Sequence, residues 1–127
     1  NIFAQYQALG VYEDTIFVLV GDHGEGLGEH GRFQHDNVIY QEGNRVPMLV
    51  FDPQNPEPRR IKRNVNHLDL LPTALKRLGF EVSGGSYPGT PLLEIEHERP
   101  MHVYCWYERS GMARILGEQK YIHHFGS

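Results

Sequence analysis

The sequence predicts an α/β sandwich fragment with a small carboxyl-terminal antiparallel β subdomain. Three observations predict this fold class. A short apolar segment at residues 15–20 runs directly into a glycine-rich loop, and a second apolar segment follows at residues 46–51. Leucines then recur at helical spacing between residues 68 and 78. Three strand-like segments, two of them joined by a glycine turn, complete the chain.

The first element is predicted to be a helix at residues 2–9. Phe3 and Tyr6 lie on one rough helical face, and Gly10 follows as a natural helix stop, since glycine readily adopts the left-handed conformation of a helix end. The chain is therefore expected to open with a short helix.

The two apolar segments are predicted to be strands. Residues 15–20 and 46–51 are continuous and rich in β-branched side chains, which is typical of parallel strands buried on both faces. Both are expected to be central strands that need partners on each edge. Their surfaces in this chain are therefore expected to be partly uncovered, with self-association or marginal stability as the consequence.

A proline-containing connection and a leucine-rich helix follow. Residues 53–60 contain three prolines among polar neighbours, which predicts an exposed connection rather than a domain boundary. The helix ends at Gly79, and either Asn66 or Asp69 can cap its start. Pro72 is tolerated only in the first turn, which favours Asp69, although a start near Asn66 with a slight kink stays open.

The last part of the chain is predicted to be a loop followed by an antiparallel sheet. Residues 82–91 are rich in Gly, Ser and Pro. Strands are predicted at residues 101–107, 112–116 and 119–124, and residues 117–118 form a two-residue turn with glycine first.

The glycine-rich loop carries the candidate chemistry. Asp22 offers a hard anionic oxygen and His23 a borderline nitrogen, a pair that suits a divalent cation better than either residue alone. The surrounding glycines allow sharp turns and a close approach to an anion. The alternative is that the two side chains only cap a helix or satisfy loop backbone.

Composition excludes several classes of function. A net charge of −4 over 127 residues provides no basic field for nucleic acid. The longest apolar run is far too short to span a bilayer, and no signal-peptide pattern opens the chain. Cys105 is the single cysteine, which excludes an internal disulfide.

The motifs, taken together and in order, resemble the second half of the sulfatase family within the alkaline phosphatase superfamily. The matching blocks span nearly the whole chain: Gly21-Asp22-His23-Gly24-Glu25, Gly28-Glu29-His30-Gly31, Tyr40, Glu42, residues 45–50, residues 67–75, Gly79, residues 88–93 and residues 120–122. The resemblance implies that residues 1–80 are the carboxyl-terminal half of the α/β catalytic domain. Residues 81–127 would be the connecting loop and the small antiparallel β subdomain of the same domain.

The resemblance also implies a metal site that is split between this chain and a missing amino-terminal half. Asp22 and His23 would supply two ligands, and two acids upstream would supply the others. The divalent metal would be Ca²⁺ or Mg²⁺, with Mn²⁺ or Zn²⁺ as alternatives from the phosphoryl branches of the superfamily. The nucleophile, a formylglycine or a Thr or Ser, would also lie upstream, so this chain alone is expected to be inactive and to bind metal weakly.

Further roles follow from the resemblance and from residue chemistry. His35 stands where many sulfatases carry a sulfate-contacting lysine, and it is assigned the catalytic contact to the transferring group; the alternative is an exposed loop histidine. Glu25 and His30 are expected to orient the metal ligands. Arg45 is expected to pair with a carboxylate such as Glu42 and brace the loop.

The remaining polar and aromatic candidates are expected to be architectural. His67 and Asp69 open the leucine-rich helix, and Cys105 lacks the Pro and Arg that follow the modified cysteine of sulfatases. The aromatic residues beside it could line a substrate cleft but are more typical of packing: Tyr104, Trp106 and Tyr107.

The function implied is that of a metal-dependent hydrolase of sulfate or phosphate esters. One alternative is a phosphoethanolamine or phosphoglycerol transferase, suggested by His23 together with His35; another is a non-catalytic module that has lost its nucleophile. The expected partners are an ester substrate and the missing amino-terminal half, with no nucleic acid. Membrane association is expected only through segments outside this chain, and the family favours an extracytoplasmic location, periplasmic or membrane-associated.

Overall fold

The computed structural model describes residues 1–33, 35, 39–106 and 110–126. Its contacts divide the chain into two units, Asn1–Arg59 and Arg60–Ser127. Residues 54–60 are exposed, as predicted for this connection, but the boundary between the units falls within it. The segment therefore separates two compact units, whereas the sequence predicted a connection that is not a boundary.

Helix α1 is Ile2–Ala8, close to the prediction. The Asn1 side chain accepts a hydrogen bond from the Phe3 N–H at 2.9 Å and so caps the first turn. Leu9 is the C-cap residue of the helix, and Gly10 follows with φ of 71°. Gly10 therefore provides the left-handed stop that the sequence indicates.

The strands of the first unit are β1, Phe17–Val20, and β2, Met48–Phe51, and they pair with each other in antiparallel register. A short helix, α2, Gln41–Asn44, precedes β2. The prediction of two parallel, centrally buried strands is wrong in direction. A continuous apolar run does not encode the direction of its partner. Here the intervening loop brings the chain back, so that Phe17 lies opposite Phe51.

Aromatic side chains pack α1 on one face of this two-stranded sheet. The Phe3 ring meets Phe17 with centroids 4.8 Å apart and Phe51 with centroids 5.8 Å apart. Tyr6 and Tyr12 lie 5.2 Å and 5.7 Å from the Phe17 ring. Edge-on ring pairs contribute about 0.5–1.5 kcal/mol each beyond their buried area, so this cluster anchors the helix to the sheet.

The second unit begins its helical part with a 3₁₀ turn at His67–Asp69, followed by α3, Leu70–Arg77. The Asn66 side chain accepts from the Leu68 N–H at 3.0 Å, and Asp69 accepts from the Asn66 N–H at 2.9 Å. This reciprocal capping box makes Asn66 the side-chain cap, so the preference for Asp69 is corrected. Helical structure therefore begins at the earlier of the two proposed starts, and Gly79 ends it with φ of 77°.

Asp69 is fully buried, and its carboxylate is the polar centre of the second unit. It accepts from the Thr90 N–H at 2.9 Å and forms an ion pair with Arg99. Its backbone carbonyl accepts from the Thr73 hydroxyl, which in turn accepts from the Leu92 N–H at 2.9 Å. These bonds hold the loop after α3 and the segment before β3 against the start of the helix.

Strands β3, Met101–Cys105, β4, Gly111–Leu116, and β5, Gln119–His124, form the predicted antiparallel sheet in the order β3-β4-β5. Gly117 takes φ of 57° in the turn between the last two strands. The end of the predicted first strand, Tyr107, lies outside the described residues. Within the described parts of the chain, no helix has the length and apolar character needed to cross a membrane.

Replacing Asp69 by Asn is expected to destabilise the second unit strongly. The change leaves the Arg99 charge without its partner in a protein interior, which costs roughly 3–5 kcal/mol for a buried ion pair. Urea unfolding measures the loss. The matched control is Glu94→Gln, which removes the exposed ion pair with Lys76 and should cost at most about 1 kcal/mol. Equal losses in the two variants would contradict the central role of Asp69.

Self-association is expected from the apolar surface of the β1-β2 sheet. Leu19 and Leu49 lie directly opposite each other, and they are 67% and 59% exposed. The mass measured by sedimentation equilibrium should rise with protein concentration. The double variant Leu19→Lys, Leu49→Glu places opposite charges across the strands and should restore the monomer mass. A wild-type chain that stays monomeric at all concentrations would refute this expectation.

Candidate functional site

The glycine-rich loop leaves β1 after Val20 and is tied to the segment before β2 by two backbone hydrogen bonds. The Gly21 N–H donates to the Pro47 carbonyl at 3.1 Å, and the Gly24 N–H donates to the Gly43 carbonyl at 2.9 Å. These bonds fix the first four residues of the loop at the end of the sheet. The two proposed metal ligands lie between them.

Gly24 lies against the backbone of helix α2, Gln41–Asn44. A Cβ atom at Gly24 would overlap the carbonyl oxygen of Glu42 and lie 3.2 Å from the carbonyl carbon of Gly43. Because these neighbours are backbone atoms, they cannot move aside as a flexible side chain could. The close approach therefore requires glycine at this position.

Asp22 and His23 form a compact pair of donor groups. The Asp22 Oδ1 accepts from the His23 N–H at 3.0 Å, and Asp22 Oδ2 lies 3.6 Å from His23 Nε2. His23 Nδ1 lies 2.9 Å from the Gly24 carbonyl oxygen. Since a carbonyl oxygen can only accept, Nδ1 carries the proton, and in the neutral ring the lone pair lies on Nε2. The side chains are 90% exposed for Asp22 and 48% for His23.

His35 returns to this pair from the far end of the loop. Its ring stacks on the His23 ring with centroids 5.0 Å apart and planes inclined by 15°. Its Nδ1 lies 3.3 Å from Glu25 Oε2. The structure thus brings together the three residues that the sequence analysis selected for the site, Asp22, His23 and His35, and adds Glu25 as the carboxylate that orients the His35 ring.

The other expected supports of the loop are placed differently. Glu25 contacts His35, and His30 contacts Glu42, with Nδ1 and Oε1 2.8 Å apart. The expected pairing of Arg45 with Glu42 is therefore corrected: the Glu42 carboxylate is taken by His30. The ring of Tyr40, for which the sequence indicated no role, stacks on the His30 ring with centroids 3.9 Å apart. The sequence feature that could have indicated this contact is an aromatic side chain at the residue directly before α2.

The middle of the loop, residues 28–32, is a tight excursion of the chain that contains residues with positive φ. Gly28 has φ of 113° and His30 has φ of 52°. The Gly28 N–H donates to the Arg32 carbonyl at 2.9 Å and closes the excursion. The Glu29 carboxylate accepts backbone N–H bonds from Glu29 itself and from Leu27, and these bonds lower the pKa of Glu29. The middle of the loop is thus held by the Glu29 carboxylate and by the bond between Gly28 and Arg32.

A complete metal cage is not present in the described part of the chain. Within residues 1–33, 35, 39–106 and 110–126, no group of three His, Cys, Asp or Glu side chains is arranged to hold a metal ion. Asp22 and His23 offer two donors, and catalytic metal sites generally use three or more protein ligands.

The remaining candidates lie in the second unit. Cys105 is buried at the end of β3, as expected for a packing residue. Tyr104 and Trp106 are 65% and 79% exposed. Tyr107, the third of these aromatic residues, lies outside the described residues.

Comparison with known proteins identifies relatives in one family. The sequence model of the family described as sulfatase matches residues 1–80. The chain is 31% identical over 91 residues to the uncharacterised sulfatase YidJ of Escherichia coli strain K12, covering 72% of this chain and 18% of that protein. It is 34% identical over 86 residues to the low-salt glycan biosynthesis sulfotransferase Agl7 of Haloferax volcanii, covering 65% of this chain and 21% of that protein. The chain thus spans about a fifth of the length of these relatives.

A solved structure supports the fold. The crystal structure of a candidate sulfatase from Bacteroides thetaiotaomicron matches 98% of this chain and 30% of its own, with a TM-score of 0.69 and 22% sequence identity. The predicted fold class, a sulfatase-like α/β fragment with a small antiparallel carboxyl-terminal sheet, is confirmed.

Replacing Gly24 by Ala is expected to displace the loop and destabilise the first unit by roughly 1–3 kcal/mol, the usual cost of overpacking a well-packed site. Urea unfolding measures the change. Gly85→Ala is the matched control, because a Cβ there meets nothing within 4 Å. That control should be neutral or slightly stabilising. If the two variants unfold at the same urea concentration, the close approach at Gly24 does not limit the stability of the first unit, and the expectation is wrong.

Proposed function

The chain belongs to the sulfatase family of hydrolases, and we propose that it is the carboxyl-terminal part of the catalytic domain of a metal-dependent enzyme that cleaves sulfate or phosphate esters. The observation that carries the proposal is the convergence of three side chains at the end of β1. Asp22 and His23 hold donor atoms 3.6 Å apart, and the His35 ring stacks on His23 at 5.0 Å. Residues 1–80 would then belong to the α/β core and residues 81–127 to its connecting loop and β subdomain.

The donor pair fits a divalent cation. Asp22 Oδ2 and His23 Nε2 lie 3.6 Å apart on exposed side chains, so the two residues would be able to hold one divalent cation between them. The bond from His23 Nδ1 to the Gly24 carbonyl sets the tautomer in which Nε2 is the ligand atom. The Asp22 carboxylate suits Ca²⁺, Mg²⁺ or Mn²⁺ and the His23 imidazole suits Zn²⁺, so the identity of the metal would depend on the ligands outside this chain.

A metal bound here would withdraw charge from the non-bridging oxygens of the sulfate or phosphate group. Asp22 and His23 would hold it, together with acids outside this chain. The nucleophile is likewise proposed to lie outside it. The 127-residue chain by itself is therefore expected to have no hydrolytic activity.

His35 is proposed to contact the transferring group. Its Nδ1 lies at Glu25, which would leave Nε2 to face an oxygen of the ester. That contact is worth most when negative charge develops on the oxygen in the transition state, and the same nitrogen can protonate the leaving alkoxide. Glu25 orients the ring for this task.

Transfer to an acceptor other than water is the second candidate function. The similarity to Agl7, whose name describes a sulfotransferase, favours it. A phosphoethanolamine or phosphoglycerol transferase would use the same three residues, and a module without a nucleophile would use none of them. Incubating the complete protein with a labelled ester and an alcohol acceptor separates these outcomes. Labelled acceptor would indicate a transferase, and free sulfate or phosphate would indicate a hydrolase. Unchanged ester would indicate a module without a nucleophile. An extracytoplasmic location is proposed on the same family basis.

Two substitutions in the complete enzyme separate the proposed roles. His35→Ala is expected to lower kcat and kcat/KM together by roughly a hundredfold, with metal content unchanged, because it removes a transition-state contact. Asp22→Ala should lose both metal and activity, because water cannot replace an anionic ligand without weakening the site. Steady-state kinetics and metal analysis of the purified variants measure both effects.

The control for these variants is His97→Ala, which changes an exposed histidine of the second unit. It should keep full activity and metal content. Equal metal loss in His35→Ala and Asp22→Ala would make His35 a ligand. Full activity of His35→Ala would show that His35 is an exposed loop histidine without a catalytic role.

A further inference from the structure

His30 makes two contacts with the chain on either side of the start of α2. Its Nδ1 lies 2.8 Å from Glu42 Oε1, and its ring stacks face to face on Tyr40 with centroids 3.9 Å apart and planes inclined by 2°. The Glu42 side chain is only 11% exposed, whereas that of His30 is 52% exposed. The histidine thus reaches from the loop to a carboxylate that is largely shielded from water.

The backbone of His30 is held in an unfavourable conformation. Among the described residues it is the one non-glycine residue with positive φ, at 52°. Such a conformation costs energy for a residue with a Cβ and persists only where the surroundings hold it. Glycine or asparagine would adopt it more easily, so the contacts of the imidazole offset the cost.

Among the contacts described for this loop, two tie it to α2, and those of His30 are the second. The first is the backbone bond from Gly24 to Gly43, at the start of the loop. His30 ties the excursion in its middle, five residues before His35. Without this second tie, the contacts of His35 within the described residues are its ion pair with Glu25 and its stack on His23, both of which involve exposed side chains.

We propose that His30 is a positioning residue, which ties the loop to Glu42 and Tyr40 so that His35 stays stacked beside His23. The inference rests on the proposed function, because it is His35 that is assigned the contact to the transferring group. His30 itself touches neither the substrate nor the metal in this account. Its loss should therefore affect the placement of His35 and leave the Asp22–His23 pair, which is fixed by the Gly21 and Gly24 bonds, in place.

Three variants of the complete enzyme test this role. His30→Gly removes both contacts and relieves the positive φ, so the loop loses its tie without added strain. His30→Asn tolerates the same φ and keeps an amide donor for Glu42. Glu42→Gln keeps an acceptor oxygen and serves as the partner-side change.

His30→Gly is expected to lower kcat by roughly tenfold to a hundredfold, the effect of misplacing a reacting group by about 1 Å. KM and metal content should change by less than about twofold, because the tie does not touch either binding group. The single variants His30→Asn and Glu42→Gln should keep most of the wild-type kcat. A general loss of structure would instead change KM, metal content and melting temperature together, and that pattern would overturn the proposal.

The double variant His30→Gly, His35→Ala provides the most direct test of whether His30 acts through His35. If His30 acts through His35, the double variant should be no slower than His35→Ala alone, since the residue that His30 positions has already been removed. Multiplied losses would show that His30 acts elsewhere and would contradict the inference.

A readout that needs no activity separates this inference from the proposed function. In the 127-residue chain, nuclear Overhauser contacts between the His23 and His35 rings should be present in wild type and in His30→Asn, and absent in His30→Gly. Contacts that persist in His30→Gly would overturn the positioning role. An inactive complete protein that still shows this pattern would refute the proposed function and leave the tie intact.

Discussion

The close approach of Gly24 to the backbone of α2 is the constraint on which the candidate site depends. It folds the loop back over the end of β1 and leaves no room for a Cβ atom. With the bond from Gly21 to Pro47, it fixes both ends of the Asp22–His23 dipeptide. The position of the proposed metal ligands is thus determined by backbone contacts, which are less easily perturbed than the exposed side chains themselves.

The second unit depends on a different kind of constraint. There a single buried carboxylate, that of Asp69, accepts bonds from backbone N–H groups and pairs with Arg99. A buried charge is tolerated only when it is paired and hydrogen-bonded, so this arrangement specifies how the loop after α3 meets the helix start. The contacts of Asp69 with Asn66, Thr90 and Arg99 join parts of the second unit and include none of the proposed site residues.

Sequence patterns predicted the features that depend on nearby residues. The positions of α1, the three carboxyl-terminal strands and the Gly117 turn follow from local periodicity and glycine placement. The direction of β2 against β1 was not predictable, because an apolar run is compatible with either direction. The partner of Glu42 was missed for a similar reason: His30 lies twelve residues away, and its left-handed conformation has no signature in the sequence.

The central claim is that Asp22 and His23 form half of a metal site with His35 beside them. Adding a small fraction of an equivalent of Mn²⁺ to the 127-residue chain tests it by paramagnetic broadening of the histidine ring resonances, which needs only weak, transient binding. The His23 ring signals should broaden first and those of His35 next, while those of His97 and His102 should stay sharp. Uniform broadening of all histidine signals, or sharp His23 signals beside broadened ones in the second unit, would contradict it.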